Sequence, residues 1–210
     1  MKLYDFHLAP NPKRVRIFLA EKGIEVPKVE INTREAGQFT PEFLKVNPGA
    51  TIPALELDDG TCISETVAIC RYFEEVQPEP PLMGIDAKDK AIVEMWSRRC
   101  ELEGFMAIGE AVRNGLPMFE DRGLAGMRSG VPQIPALVER GKATATRFCK
   151  KLDAQLADNE YVAGSRFTIA DITAFVMFGF ASRIEFAMPE DCTNIKRWFD
   201  AVAARPSADA

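Results

Sequence analysis

The spacing of apolar positions changes character near residue 80. Before it, short alternating runs take turns with helical spacing. "KLYDF" alternates Leu3 with Tyr4 and leads to Phe6, which predicts a strand. "APNPKRVRIFLAEKG" predicts a helix with Asn11 as N-cap, Pro12 at the first helical position, Val15, Phe18 and Leu19 on one face, and Gly23 as its end. "VPKVEIN" predicts a second strand, and "PEFLKVNPG" a helical turn stopped by Asn47-Pro48-Gly49. "PALELDDGTCIS" reads as two strands joined at Asp59-Gly60, followed by the helix "ETVAICRYFEEV". The proline-rich stretch Gln77 to Gly84 cannot continue that helix and predicts a linker.

After the linker the period is helical throughout. A long helix is expected from about Asp86, another over "IPALVERGKATATRFCKKLDAQLADN", an almost wholly apolar one over "TIADITAFVMFGFASRI", and a last one over "TNIKRWFDAVAA". The expected organisation is therefore an α/β domain over 1–77, a linker over 78–84 and an all-α helical bundle over 85–210.

Charge and cysteine usage narrow the function classes. Thirty-one acidic against 26 basic residues give a net charge of −5, which offers no field for nucleic acid. No apolar run is long enough to cross a bilayer, and "MKLYDFHLAP" lacks the apolar core and cleavage site of a signal peptide, so a cytoplasmic location is expected. The five scattered cysteines lack metal-ligand spacing and read as reduced thiols in the core; no metal is expected. The single histidine, His7, is read as a solvated side chain rather than a general base.

Three places carry candidate chemistry. Ile52-Pro53 is either an ordinary trans strand start or a cis bond that turns the Ile52 amide and carbonyl toward an extended, peptide-like ligand. Glu65 and Thr66 either cap a helix or hold the ammonium and carboxylate of an α-amino acid at its N-terminus. Asn11 either caps the first helix or presents its amide N–H to a ligand thiolate. In "TIADI", Thr168 and Asp171 have the spacing of a capping box, a folding role.

"NPGATIPALELDDGTCISETVAICRYFEE" resembles the glutathione-binding segment of the cytosolic glutathione transferases, and "APNPKRVRIFLAEKG" resembles their first helix as found in bacterial members. "YVAGSRFTIADITAF" and "IKRWFDAVAARPS" are similar to later helices of the same family. The resemblance implies a thioredoxin-like N-terminal domain, an all-α C-terminal domain, a homodimer, and glutathione as co-substrate in detoxifying conjugation. It places Ile52 with cis Pro53 against the cysteinyl backbone of glutathione and Glu65 and Thr66 at its γ-glutamyl end. Gln38 and Lys45 fall where members contact the glycyl carboxylate. Where many members carry Tyr, Ser or Cys, this chain reads Leu8-Ala9-Pro10-Asn11, which leaves Asn11 as the thiol donor, with Tyr4 expected to pack in its strand. The electrophile site is expected between the domains, facing the long helix with Trp96, Phe105 and Met106, residues that serve equally as core. A glutathione-binding regulatory or partner-binding protein with little turnover is the other reading.

Overall fold

The structure, a computed structural model, describes residues 1–210. Its N-terminal part is a four-stranded mixed sheet in the order β2-β1-β3-β4, built from β1 (Lys2–Asp5), β2 (Lys28–Glu30), β3 (Ala54–Glu56) and β4 (Cys62–Ser64). β1 runs parallel to β2 and antiparallel to β3, so the crossover needed between parallel neighbours is supplied by α1 (Pro10–Lys22). The connection from β2 to β3 contains α2 (Pro41–Val46), and α3 (Thr66–Val76) follows β4 directly.

Leu3, Val15, Phe18, Leu55, Ile69 and Phe73 lose nearly all solvent contact between the sheet and the helices α1 and α3. A smaller cluster of Tyr4, Phe43 and Ala54 lies apart from that core.

The C-terminal part is helical: α4 (Ala87–Arg99), α5 (Met106–Gly115), α6 (Pro135–Ala157), α7 (Ile169–Ala181) and α8 (Thr193–Ala203). Asp86 caps α4 by accepting from the Asp89 amide at 2.9 Å, where the sequence places the helix start. The expected single long helix is interrupted by a π-helical turn over Cys100–Phe105. Gly104 lies in that turn, and a Cβ there would come within 2.9 Å of the Phe148 ring, so α6 approaches it on bare backbone.

α7 is buried on nearly all sides, as its composition demands. Its start is fixed by the expected capping box. Asp171 Oδ2 accepts from the Thr168 amide at 2.9 Å and the Thr168 hydroxyl at 3.0 Å, while Oδ1 accepts from the Val162 amide and Trp198 Nε1, each at 2.8 Å. No helix is long and apolar enough to cross a membrane.

The two parts are joined through buried charge. Lys22 Nζ lies 2.7 Å from Glu74 Oε2 and donates to the carbonyls of Gln77 at 2.7 Å and Pro80 at 2.8 Å. Glu74 Oε1 in turn accepts from the Met83 amide at 2.8 Å. At the far end of the chain, Arg205 grips Glu21 with two bonds of 2.8 and 2.6 Å, returning the C-terminus to α1.

Candidate active site

The hairpin assembles one side of the site. The last pair of the antiparallel β3–β4 register is Ala54 with Ser64, so Pro53 and Glu65 flank that pair, one on each side of the hairpin. The Ile52-Pro53 peptide bond is cis, which answers the question the sequence leaves open. Neither the amide nor the carbonyl of Ile52 enters a backbone hydrogen bond.

The turn before Ile52 is closed by Asn47. Its Nδ2 donates to the Thr51 carbonyl at 2.8 Å and its Oδ1 accepts from the Gly49 amide at 3.0 Å. Asn47 therefore positions the strand end, a role invisible in a stretch that reads only as a helix stop.

Glu65 is the residue before α3, exposed, at φ 73° and ψ 124°, and its side chain caps nothing. The capping alternative for Glu65 is thus corrected: the side chain does not fold back on the helix. Thr66 opens the helix and is buried. Gln38 sits in the turn Gly37–Phe39, where its Oε1 is buried without a partner, an unmet polar group that costs stability. Lys45 is exposed near the end of α2. No hydrogen bond ties Gln38 or Lys45 to the strand-end group.

Asn11 is not the N-cap of α1. The helix begins at Pro10 after an extended Ala9, so Asn11 lies within the first turn. Its Oδ1 accepts from Arg14 Nη1 at 3.1 Å. Arg14 is buried, donates to Glu101 Oε1 at 3.3 Å and Thr173 Oγ1 at 3.0 Å, and lies 4.9 Å from the Phe105 ring centre. Because Arg14 donates only, it turns the Asn11 oxygen inward and leaves Nδ2–H as the free end.

The competing thiol donor is engaged elsewhere. Tyr4 packs in its strand as expected, and its hydroxyl donates to Glu56 Oε2 at 2.6 Å. Its pKa is raised, first by burial and then by that carboxylate. The cysteines are free, with only Cys62 exposed; burial pushes the Cys70 and Cys149 thiols up to about 12. No group of three or more His, Cys, Asp and Glu side chains is placed to hold a metal ion.

Beside the first turn of α1 lies a cleft of about 170 Å³. One lip is His7, Leu8, Ala9, Pro10 and Lys13; the opposite wall is Phe175, Val176, Gly179, Phe180 and Arg183 from α7 and the residues just after it, with Phe199 from α8. Trp96 and Phe105 are core residues, the second of the two uses the sequence offers them, whereas Met106 faces outward; this cleft looks onto α7 and α8. An apolar helix hides which of its sides stays accessible, so periodicity gives no signal for the aromatic wall.

A second contact ties the helical domain to the strand end. Gly126, in the segment between α5 and α6, has φ +76°, and a Cβ there would fall 2.4 Å from the Gly49 carbonyl oxygen and 3.6 Å from Thr51 Cγ2.

Known proteins share this arrangement. The family model "Glutathione S-transferase, N-terminal domain" matches residues 9–76, and "Glutathione S-transferase, C-terminal domain" matches residues 116–206. Glutathione S-transferase 2 of Saccharomyces cerevisiae is 34% identical over 209 residues, covering 99% of this chain and 87% of that protein. The crystal structure of a glutathione S-transferase domain-containing protein from Marinobacter aquaeolei superposes with a TM-score of 0.91 at 37% identity, covering 99% of both chains. FtsZ-localized protein A of Caulobacter vibrioides is 28% identical, covering 97% of this chain and 87% of that protein. With both domains matched in order and an enzyme relative aligned along nearly its whole length, the chain belongs to the glutathione S-transferase family, whose members take glutathione as a substrate.

Proposed function

We propose that this chain ionises the thiol of bound glutathione and delivers the thiolate to a small electrophile. The observation that carries the reading is the free backbone of Ile52, two residues ahead of the last β3–β4 pair, with an exposed Glu65 one residue beyond that pair whose side chain serves no cap. The Ile52 amide and carbonyl pair with the cysteinyl backbone, Glu65 takes the ammonium group, and Thr66 with the first amides of α3 takes the neighbouring carboxylate. Gln38, donating through Nε2–H, and Lys45 meet the glycyl carboxylate.

Asn11 Nδ2–H donates to the sulfur and favours its ionised form. The thiol proton leaves to solvent. Sulfur then bonds to the electrophilic carbon, and the leaving group departs with its electron pair. Titration of the protein with glutathione, followed by conjugation of 1-chloro-2,4-dinitrobenzene, tests the reading. Micromolar to millimolar affinity with turnover above the uncatalysed rate is expected, and no binding would remove it.

The lack of Tyr, Ser or Cys at Leu8–Asn11, together with the likeness to FtsZ-localized protein A, supports a second reading: glutathione binding in the service of a protein partner, with little turnover. Retention on glutathione with no conjugation of any electrophile favours that reading.

The domains divide at the 78–84 linker, and the protein works in the cytoplasm as a homodimer. Met95, Leu102 and Met106 are exposed at spacings of 7 and 4 along the α4–α5 rod and supply an apolar stripe for the second copy. Sedimentation at micromolar concentration, with Leu102→Glu as the disrupting variant, checks this.

A further inference from the structure

The cleft beside Leu8–Pro10 combines an aromatic wall with two cationic side chains, Lys13 and Arg183. Phe175 and Phe199 meet with ring centres 5.0 Å apart, and Phe180 backs onto Phe105 at 5.6 Å. Around them stand Lys13, with Nζ 5.9 Å from the Phe175 ring centre, and Arg183, with its guanidinium carbon 5.3 Å from the Phe180 ring centre. No Asp or Glu lines the cleft, although acids outnumber bases in the chain as a whole. The Glu30 carboxylate lies 3.8 Å from His7 Nδ1.

Neither rim cation is neutralised within the chain. Arg183 donates to the Leu8 carbonyl at 2.5 Å and forms no ion pair, and Lys13 forms none. A second guanidinium, Arg34, stands close enough to push the Arg183 pKa down, after the larger effect of burial. Like charges gathered without counter-charge are unfavourable unless something negative arrives. The rings and the cations also belong together geometrically, since each cation lies over a ring that would itself stack on a flat ligand.

We propose that this cleft selects aromatic electrophiles that carry an anionic group: the ring packs against Phe175, Phe180 and Phe199, and the anion lies between Lys13 and Arg183. The proposal rests on the transferase reading for turnover but not for binding. A ring held there is adjacent to the first turn of α1, where the thiolate is placed by that reading.

The test compares two unreactive ligands of closely similar size, 3,5-dinitrobenzoate and 3,5-dinitrobenzamide, by calorimetry on the glutathione-saturated protein. The benzoate is expected to bind about tenfold more tightly at low ionic strength, an advantage that shrinks at high salt. Arg183→Gln and Lys13→Gln should each reduce the ratio of the two affinities. Lys13→Gln keeps the Arg183–Leu8 bond, so it remains informative if Arg183→Gln folds poorly. Equal affinities for the two ligands, or a preference that survives both substitutions, would overturn the proposal.

The turnover arm uses 4-chloro-3,5-dinitrobenzoate and its carboxamide, each rate divided by its uncatalysed rate. Sulfur bonds to the ring carbon bearing chlorine, chloride leaves with the bonding pair, and the thiol proton passes to buffer. Benzoate preference in binding with neither compound turned over would sink the transferase reading and keep the cleft assignment. Turnover of both with no preference in rate or binding would do the reverse.

Discussion

Arg14 Nη1 donates to Asn11 Oδ1 across 3.1 Å, and this bond settles which end of the Asn11 amide faces outward. A guanidinium has no acceptor, so the oxygen must turn toward it and the NH₂ group away. Asn11→Ala should raise the thiol pKa of bound glutathione by about 1 unit, the scale of one hydrogen bond to a charged group. Asn11→Asp should be at least as damaging, because its carboxylate is drawn to Arg14 and offers the thiolate no donor. Thiolate absorbance followed against pH measures both, and an unmoved thiol pKa in Asn11→Ala would place activation elsewhere.

Glu65 occupies a backbone conformation, φ 73° and ψ 124°, that side chains rarely adopt. Such strain costs on the order of 1–3 kcal/mol and is held by its surroundings. Glu65→Gly should therefore raise the melting temperature while weakening glutathione binding at least tenfold. Glu65→Gln keeps the strain and loses the charge, so it should weaken binding without gaining stability. Melting curves and calorimetry on the pair separate the two effects; full affinity in Glu65→Gln would remove the ammonium contact.

Gly126→Ala should weaken glutathione binding from a distance. The new Cβ would meet the Gly49 carbonyl at 2.4 Å, and Gly49 belongs to the turn that Asn47 closes ahead of Ile52. Overpacking of this kind costs about 1–3 kcal/mol. Gly130→Ala is the matched control: its φ of +83° is equally unsuited to alanine, but no atom lies within 4 Å of the new Cβ. Equal glutathione affinities for the two variants would show that the contact does not reach the site.

Asp171 gives a pH signature. Burial outweighs the four hydrogen bonds that its carboxylate accepts and pushes its pKa from 3.8 up to about 6. The folded protein therefore holds a proton that the unfolded chain has already released between these values. The stability this provides is complete below pH 3.8 and is lost as pH rises through about 6, a total of about 3 kcal/mol. Asp171→Asn should be less stable at every pH, since its NH₂ cannot accept from the Thr168 or Trp198 donors, and should lack this slope. Urea unfolding at pH 4.5 and 7.0, taken as the wild-type minus variant difference, reads it; a difference that does not change between the two pH values would contradict the shift.

How far the sequence revealed this molecule depended on the range over which each signal acts. Gly23 does take the left-handed conformation after α1, Asp59-Gly60 does join β3 to β4, and Asp86 does cap α4, because each is a local backbone requirement met by the residue itself. The start of α1 was harder to place. Pro10 and Pro12 both suit a first turn, and the choice between them lies with Ala9, whose extended backbone leaves no mark in the sequence.

The π-helical turn needed knowledge of Phe148, and Arg14 finds Glu101 and Thr173 at 87 and 159 residues' distance. Within the site, Ile52 and Glu65 were readable because a short hairpin joins them. The cationic rim was not, since Lys13 and Arg183 meet only after both domains have folded.

Lys22 gives the domain division a practical meaning for protein engineering. Its ammonium is fully enclosed, and two of its acceptors are carbonyls of the proposed linker, Pro78 and Pro80. A chimera or truncated gene cut ahead of that linker would leave the enclosed ammonium with Glu74 but strip it of both linker carbonyls, so modules should exchange with least damage at a seam beyond Met83, whose amide completes the Glu74 end of the same lock.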